Sequence, residues 1–258
     1  MEEAFNVYFI GTAGCGKSTL TAAFHEYLEN EGIDSVLLNL DPGAEELPYE
    51  PDIDIREWIK LSDVMQEYGL GPNGAQIAAA DLLALNVPEV KEILDEYDTD
   101  YAVFDTPGQL ELFTFRESSR KIIESFGRET SMLCFLIDPM LARNPNGFVS
   151  SLLLATTTSF RLGLPMLTMI SKADLLSAEE IERIESWSSD YQLLFNSLSE
   201  EVSSAQNQVS IEFLKAIETA TGKSGSICFV SSETMTGLED IYALAQNIIA
   251  GGEDIEPR

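Results

Sequence analysis

Eight residues near the start of the chain, Gly11-Thr12-Ala13-Gly14-Cys15-Gly16-Lys17-Ser18, fit the pattern G-x-x-x-x-G-K-S/T. Glycines at those positions let backbone N–H groups turn inward around phosphate oxygens, and a helix starting at the lysine adds its positive end. Lys17 would bridge the outer phosphates and Ser18 would ligate Mg2+. Gly11, Ala13, Gly14, Cys15, Gly16, Lys17, Ser18 and Thr19 are therefore candidate nucleotide contacts. Cys15 fills a free position of the loop and reads as a backbone donor without thiol chemistry. The plain alternative is a glycine-rich turn between a strand and a helix.

A second cluster lies downstream. Asp105-Thr106-Pro107-Gly108 follows an apolar run and has the D-x-x-G form that closes a metal-side strand in GTP-binding proteins. Asp105 would face the Mg2+ shell, through water, and the Gly108 N–H would meet the terminal phosphate. Gln109 and Glu111 could orient the attacking water, or merely open a solvated helix. Asp41, at the end of another strand, could hold a Mg2+-bound water or simply shape an Asp-Pro-Gly turn. On the base side, Ser171-Lys172-Ala173-Asp174 departs at one place from N-K-x-D. Asp174 can accept two hydrogen bonds from guanine N1–H and N2–H2, which adenine cannot offer. The Lys172 stem can lie over the base, and Ser171 would supply a smaller hydroxyl contact in place of asparagine. Ser232, in Ser231-Ser232-Glu233, falls where a backbone N–H can meet guanine O6.

Elements must carry these loops. The patterns predict strands at Phe5–Ile10, Ser35–Leu40, Tyr101–Asp105, Met132–Asp138, Met166–Ile170 and Ser226–Val230. Helices are predicted at Lys17–Asn30, at Ala75–Leu85 with Asn73 as N-cap, and at another helix opened by Pro88. Further helices fall at Phe148–Leu162, Ala178–Leu198, Val209–Thr221 and Leu238–Ala250. The stretch Asp41–Asp54, with three prolines and six acids, reads as mostly loop. Short, continuously apolar strands separated by helices predict an α/β fold: a three-layer, doubly wound, mostly parallel sheet of the P-loop NTPase type. One domain spans 1–250, with helical insertions at about 54–97 and 177–208, and 251–258 forms a loose tail.

Composition narrows the partners. The 258 residues hold 44 acids and 15 lysines plus arginines, a net charge of −29. That argues against a nucleic-acid groove or an anionic membrane surface, and 45% hydrophobic residues argue against disorder. The acidic start lacks a secretory pattern and no apolar run reaches membrane-spanning length, so a cytoplasmic place is expected. Cys15, Cys134 and Cys228 are odd in number and scattered, unlike a disulfide framework or a metal cluster. The acidic faces could meet a basic protein client, although a merely solvated acidic surface explains them too.

Gly71-Pro72-Asn73 lies between the P-loop and the Asp105 strand. With Gly11–Thr19, Asn39-Leu40-Asp41-Pro42, Asp105–Gln109 and Ser171–Asp174, the chain resembles the GPN-loop GTPases nearly end to end. The resemblance implies a SIMIBI-class P-loop GTPase using Mg2+ with GTP and GDP. It implies a homodimer, or a heterodimer with a related GTPase, in which Asn73 reaches the partner's phosphate in place of an arginine finger. It also implies a protein client such as RNA polymerase or its assembly factors. The competing readings are a GTP-bound assembly scaffold whose turnover is incidental, and an ATP-using P-loop kinase.

Overall fold

The computed structural model describes residues 3–200, 205–221 and 227–250. Its strands are β1 (Phe5–Gly11), β2 (Ser35–Asn39), β3 (Ile53–Asp54), β4 (Tyr101–Asp105), β5 (Ser131–Ile137), β6 (Met166–Ile170) and β7 (Cys228–Phe229). They form one sheet in the order β3-β2-β4-β1-β5-β6-β7, and every pairing is parallel. The helices are α1 (Lys17–Asn30), α2 (Leu61–Tyr68), α3 (Pro72–Leu94), α4 (Leu110–Thr114), α5 (Glu117–Phe126) and α6 (Pro139–Ala142). They continue with α7 (Pro145–Leu162), α8 (Ala178–Ser189), α9 (Tyr191–Glu200), α10 (Ala205–Thr221) and α11 (Leu238–Ile249).

The sheet is apolar on both faces because both are covered. Alternation along β1 sends Val7 and Phe9 to one core with Phe24 and Leu28 of α1 and Ile241 of α11. It sends Tyr8 and Ile10 to the other, with Leu83 of α3, Ile123 of α5 and Phe148 of α7. Tyr8 stacks on Phe104 of β4 with ring centroids 4.4 Å apart. The predicted three-layer α/β fold is the observed one.

Several boundaries differ from the sequence expectation. Asn73 is not an N-cap: Gly71 holds that place, Pro72 takes the first helical position and Asn73 the next. Pro88 does not open a new helix but lies inside α3. An interior proline lacks the N–H that would bond the Ala84 carbonyl and costs about 3 kcal/mol. Leu83, Val87, Val90 and Leu94, all buried on one stripe, contribute about 1.5–3 kcal/mol each and together outweigh that cost. The acidic loop ends in β3, whose two residues pair with Leu38 and Asn39. Ala178–Leu198 is two helices, because Asp190 turns extended and its carboxylate caps the Gln192 N–H at 2.9 Å. Helix α7 starts three residues early, because the Asn144 side chain accepts from Asn146 N and Gly147 N. The tail, and Ser226 of the last predicted strand, lie outside the described residues.

Candidate functional site

Parallel strands deliver their following loops to one sheet edge, where ligands of such folds bind. Register brings the segments level: Phe9 and Asn39 both pair with Asp105, Gly11 with Leu136, and Ile170 with both Ile137 and Phe229. The P-loop, the Asp41 turn, Asp105–Gln109, Asp138, Ser171–Asp174 and Ser231–Glu233 all leave that edge.

The P-loop wraps tightly. A Cβ on Gly11 would stand 2.7 Å from the Leu136 carbonyl oxygen and 2.6 Å from Cys15 Sγ, so glycine is required there. Gly16 caps α1 at φ 96°. Buried Lys17 donates from Nζ to Gly11 O (3.0 Å), Thr12 O (3.1 Å) and Gly108 O (3.2 Å), tying the P-loop to the Asp-x-x-Gly turn. Cys15 is fully buried and burial pushes its thiol up, so it offers no thiolate. Ala13, Gly14 and Thr19 face solvent.

Asp105 is buried, and desolvation pushes its carboxyl up to about 6, against the opposing pull of the Ser18 and Tyr49 hydroxyls and the Lys17 ammonium. Tyr49 donates to Oδ2 at 2.8 Å. Oδ1 is buried without a hydrogen-bond partner among the described residues. A cation beside Ser18 and Asp105 would satisfy that oxygen, so the donor set fits a hard divalent ion such as Mg2+.

Asp41 has both oxygens engaged: Oδ1 accepts from Gly43 N and Oδ2 from Gly108 N, each at 2.8 Å. The Gly108 N–H that the sequence assigns to the terminal phosphate is thus held by a carboxylate. A relay of side chains orients this turn. Asn39 Oδ1 accepts from Asp41 N, Asn39 Nδ2 donates to Asp54, and Asp54 pairs with Arg56 at 2.6 Å. Burial raises the Asp54 carboxyl, but the Arg56 hydrogen bonds reverse this and hold it below its ordinary value. Gln109 is exposed and donates to Gln76 of α3. Glu111 is exposed in the first turn of α4. Asn73, with Gly71 and Pro72, is exposed at the tip of α3.

On the base side a cleft of about 250 Å3 is lined by Gly16, Thr19, Ser171, Lys172, Asp174 and Ser232 among others. Larger cavities, about 650 and 840 Å3, lie around Leu152, Phe160 and Met166 and around Phe5, Ile33 and Tyr242. Neither contains a P-loop residue, so chemistry and not volume marks the site. Lys172 is held at φ 49°, an unusual backbone for a lysine. Its Nζ donates to Gly14 O (2.6 Å) and pairs with Asp138 (3.2 Å), strapping the base-side loop to the P-loop. Ser171 is buried and its hydroxyl donates to Ile137 O at 3.1 Å. Its donor therefore serves the sheet edge, leaving only an acceptor lone pair for the contact expected of it. Asp174 is exposed and accepts from the buried Ser231 hydroxyl at 2.5 Å.

Sequence reading missed Tyr49 and Gln76, the Ser231 hydroxyl's hold on Asp174, and the Asn39–Asp54–Arg56 relay. Two of these carried a signal: Gln76 is a lone polar residue among Ala75, Ile77 and Ala78, and Ser231 adjoins Ser232. Tyr49 sits in an acidic loop whose path no pattern gives.

A family model described as "Conserved hypothetical ATP binding protein" matches residues 9–251. A GPN-loop GTPase of Pyrococcus abyssi is 35% identical over 241 residues, covering 93% of this chain and 95% of the relative. GPN-loop GTPase 3 of Eremothecium gossypii is 31% identical over 259 residues, covering 98% and 94%. The crystal structure of a Pyrococcus abyssi GTPase in apo form superposes with a TM-score of 0.82 at 34% identity, covering 95% of this chain and 97% of that one. Matched end to end in sequence and in backbone, the chain belongs to the GPN-loop GTPase family.

Proposed function

We propose that the chain binds and hydrolyses GTP with Mg2+, as a dimer whose two sites are each completed by the other subunit's Asn73. The observation that carries the reading is the Lys17 ammonium bound at once to Gly11 O, Thr12 O and Gly108 O. It puts the phosphate loop and the Asp-x-x-Gly turn within one side chain's reach, the arrangement that transfer of a terminal phosphoryl group to water requires.

Each group then has a physical task. The loop amides of Gly11–Thr19 and the start of α1 receive phosphate oxygens. Lys17 neutralises charge that builds up between the outer phosphates. Ser18 and Asp105 hold Mg2+, which supplies further charge neutralisation when bound. Asp41, fixed by the Asn39–Asp54–Arg56 relay, would hold a Mg2+-bound water, and Gln109, with Glu111 beside it, orients the attacking water. Asp174, steadied by Ser231, reads guanine N1–H and N2–H2. Ser232 and Lys172 line the same cleft. Asn73 is exposed at the tip of a 23-residue helix, which suits a donor that works across a subunit boundary. The partner is a second copy or a related GTPase. The downstream client is a protein, with RNA polymerase or its assembly factors suggested by the family resemblance. A chain of net charge −29 fits a protein client better than direct nucleic-acid contact, and no described helix is long and apolar enough to cross a membrane.

The test is nucleotide competition followed by single turnover. GTP should displace bound GDP far better than ATP does, and Asp174→Asn should erase that preference. Asn73→Ala should slow phosphate release with little change in GTP affinity. Preference of the parent chain for ATP would overturn the guanine assignment, and unchanged turnover in both Asn73→Ala and Gln109→Leu would leave the scaffold reading in its place.

A further inference from the structure

Gln76 stands one turn beyond Asn73, on the same face of α3. Its Oε1 accepts the hydrogen bond from Gln109 Nε2. On its other side, its Nε2 lies 3.5 Å from where a Cβ on Gly43 would sit, against the turn whose Asp41 carboxylate holds the Gly108 N–H. One half-buried amide on α3 therefore lies between the turn after β2 and the turn after β4, hydrogen-bonded to the latter. A solvent-exposed glutamine such as Gln109 has several rotamers of similar energy, and a hydrogen bond at its tip selects among them.

We infer that Gln76 is a positioning residue: it sets the Gln109 amide and ties it to the helix that carries Asn73. Movement of the Gly71-Pro72-Asn73 turn is then passed to the water-orienting group, so that assembly of the Asn73 contact and alignment of the water occur together. The inference rests on the hydrolytic reading above.

Gln76→Met keeps the chain length and the helix preference but removes the amide acceptor. Single-turnover GTP hydrolysis, GTP affinity and Tm are measured for Gln76→Met, Gln109→Leu and the double variant. Gln76→Met should slow hydrolysis about tenfold, the worth of one neutral hydrogen bond, with affinity and Tm unchanged. In the Gln109→Leu background it should add nothing. Equal slowing in both backgrounds, or slowing that tracks a loss of affinity or Tm, overturns the inference. If Gln109→Leu is slow while Gln76→Met runs at the parent rate, only the inference falls. If Gln109→Leu itself runs at the parent rate, the hydrolytic role of Gln109 falls and the inference falls with it.

Discussion

Replacing Asp105 by asparagine should leave a protein that, without metal and nucleotide, gains on the parent chain in stability as pH rises. Asp105 is 1% exposed, and burial lifts its carboxyl from the ordinary value of 3.8 to about 6. The folded chain therefore holds the proton more tightly than the unfolded one. A folded pKa raised in this way means that Asp105 contributes its full stability below pH about 3.8 and loses it as pH rises through about 6. The loss is about 3 kcal/mol at pH 7.5 and about half of that at pH 5. Asparagine does not titrate. It keeps the acceptor for the Tyr49 hydroxyl and introduces an amide whose cost is independent of pH. The difference between the two proteins should therefore move by about 1.5 kcal/mol in favour of Asp105→Asn from pH 5 to pH 7.5, or about 3–6 °C in Tm. The assay is denaturant or thermal unfolding of both proteins in EDTA across that range, repeated with Mg2+ and GTP. Ligands should reverse the order, because the parent carboxylate then has a cation to pair with. Parallel stability curves in EDTA would refute the reasoning: the carboxylate would then not be held against its charge by burial.

Other consequences are more local. Ser231→Ala removes the hydroxyl that holds Asp174 and caps Glu233 N and Thr234 N; GTP affinity should fall about tenfold while ATP affinity stays level, read by fluorescent-nucleotide titration. Pro88→Ala restores a donor for the Ala84 carbonyl inside α3; it should stabilise the chain by up to about 3 kcal/mol in urea unfolding, with turnover unchanged. Gly11→Ala forces a Cβ to 2.7 Å from Leu136 O; it should abolish GTP binding in calorimetry and lower Tm, whereas Gly14→Ala, with open space around its Cβ position, should bear only the strain of its φ of 78°.

Much of the fold was legible because it depends on local patterns. Continuous apolar runs such as Val7–Ile10 and Leu133–Ile137, short and bounded by turn residues, read as strands buried on both faces, and the loops with chemistry follow them directly. Where tertiary burial opposed a local signal, the local signal lost. Pro88 reads as a helix start, yet the stripe from Leu83 to Leu94 carries α3 through it. Asn73 has the chemistry of an N-cap, yet Pro72 is better placed for the first helical position, leaving the asparagine side chain outward. Within the site, motif spacing located Lys17, Asp105 and Asp174 but not their supports. Tyr49, Gln76 and Ser231 reach those residues or Gln109 across 33 to 57 positions of sequence, and no periodicity encodes such a contact. The same limit applies to hydrogen-bond direction: a Ser171 hydroxyl reads as a base contact until the Ile137 carbonyl is seen beside it.

The claim that one subunit's Asn73 completes the other's site is tested most directly by mixing two impaired variants. Lys17→Ala loses its own phosphate site but keeps Asn73; Asn73→Ala keeps its phosphate site but donates no amide. Random pairing forms heterodimers in which one of two sites has all its parts, so GTP hydrolysis should return to about a quarter of the parent rate. A mixture no faster than the two variants measured alone would contradict the account.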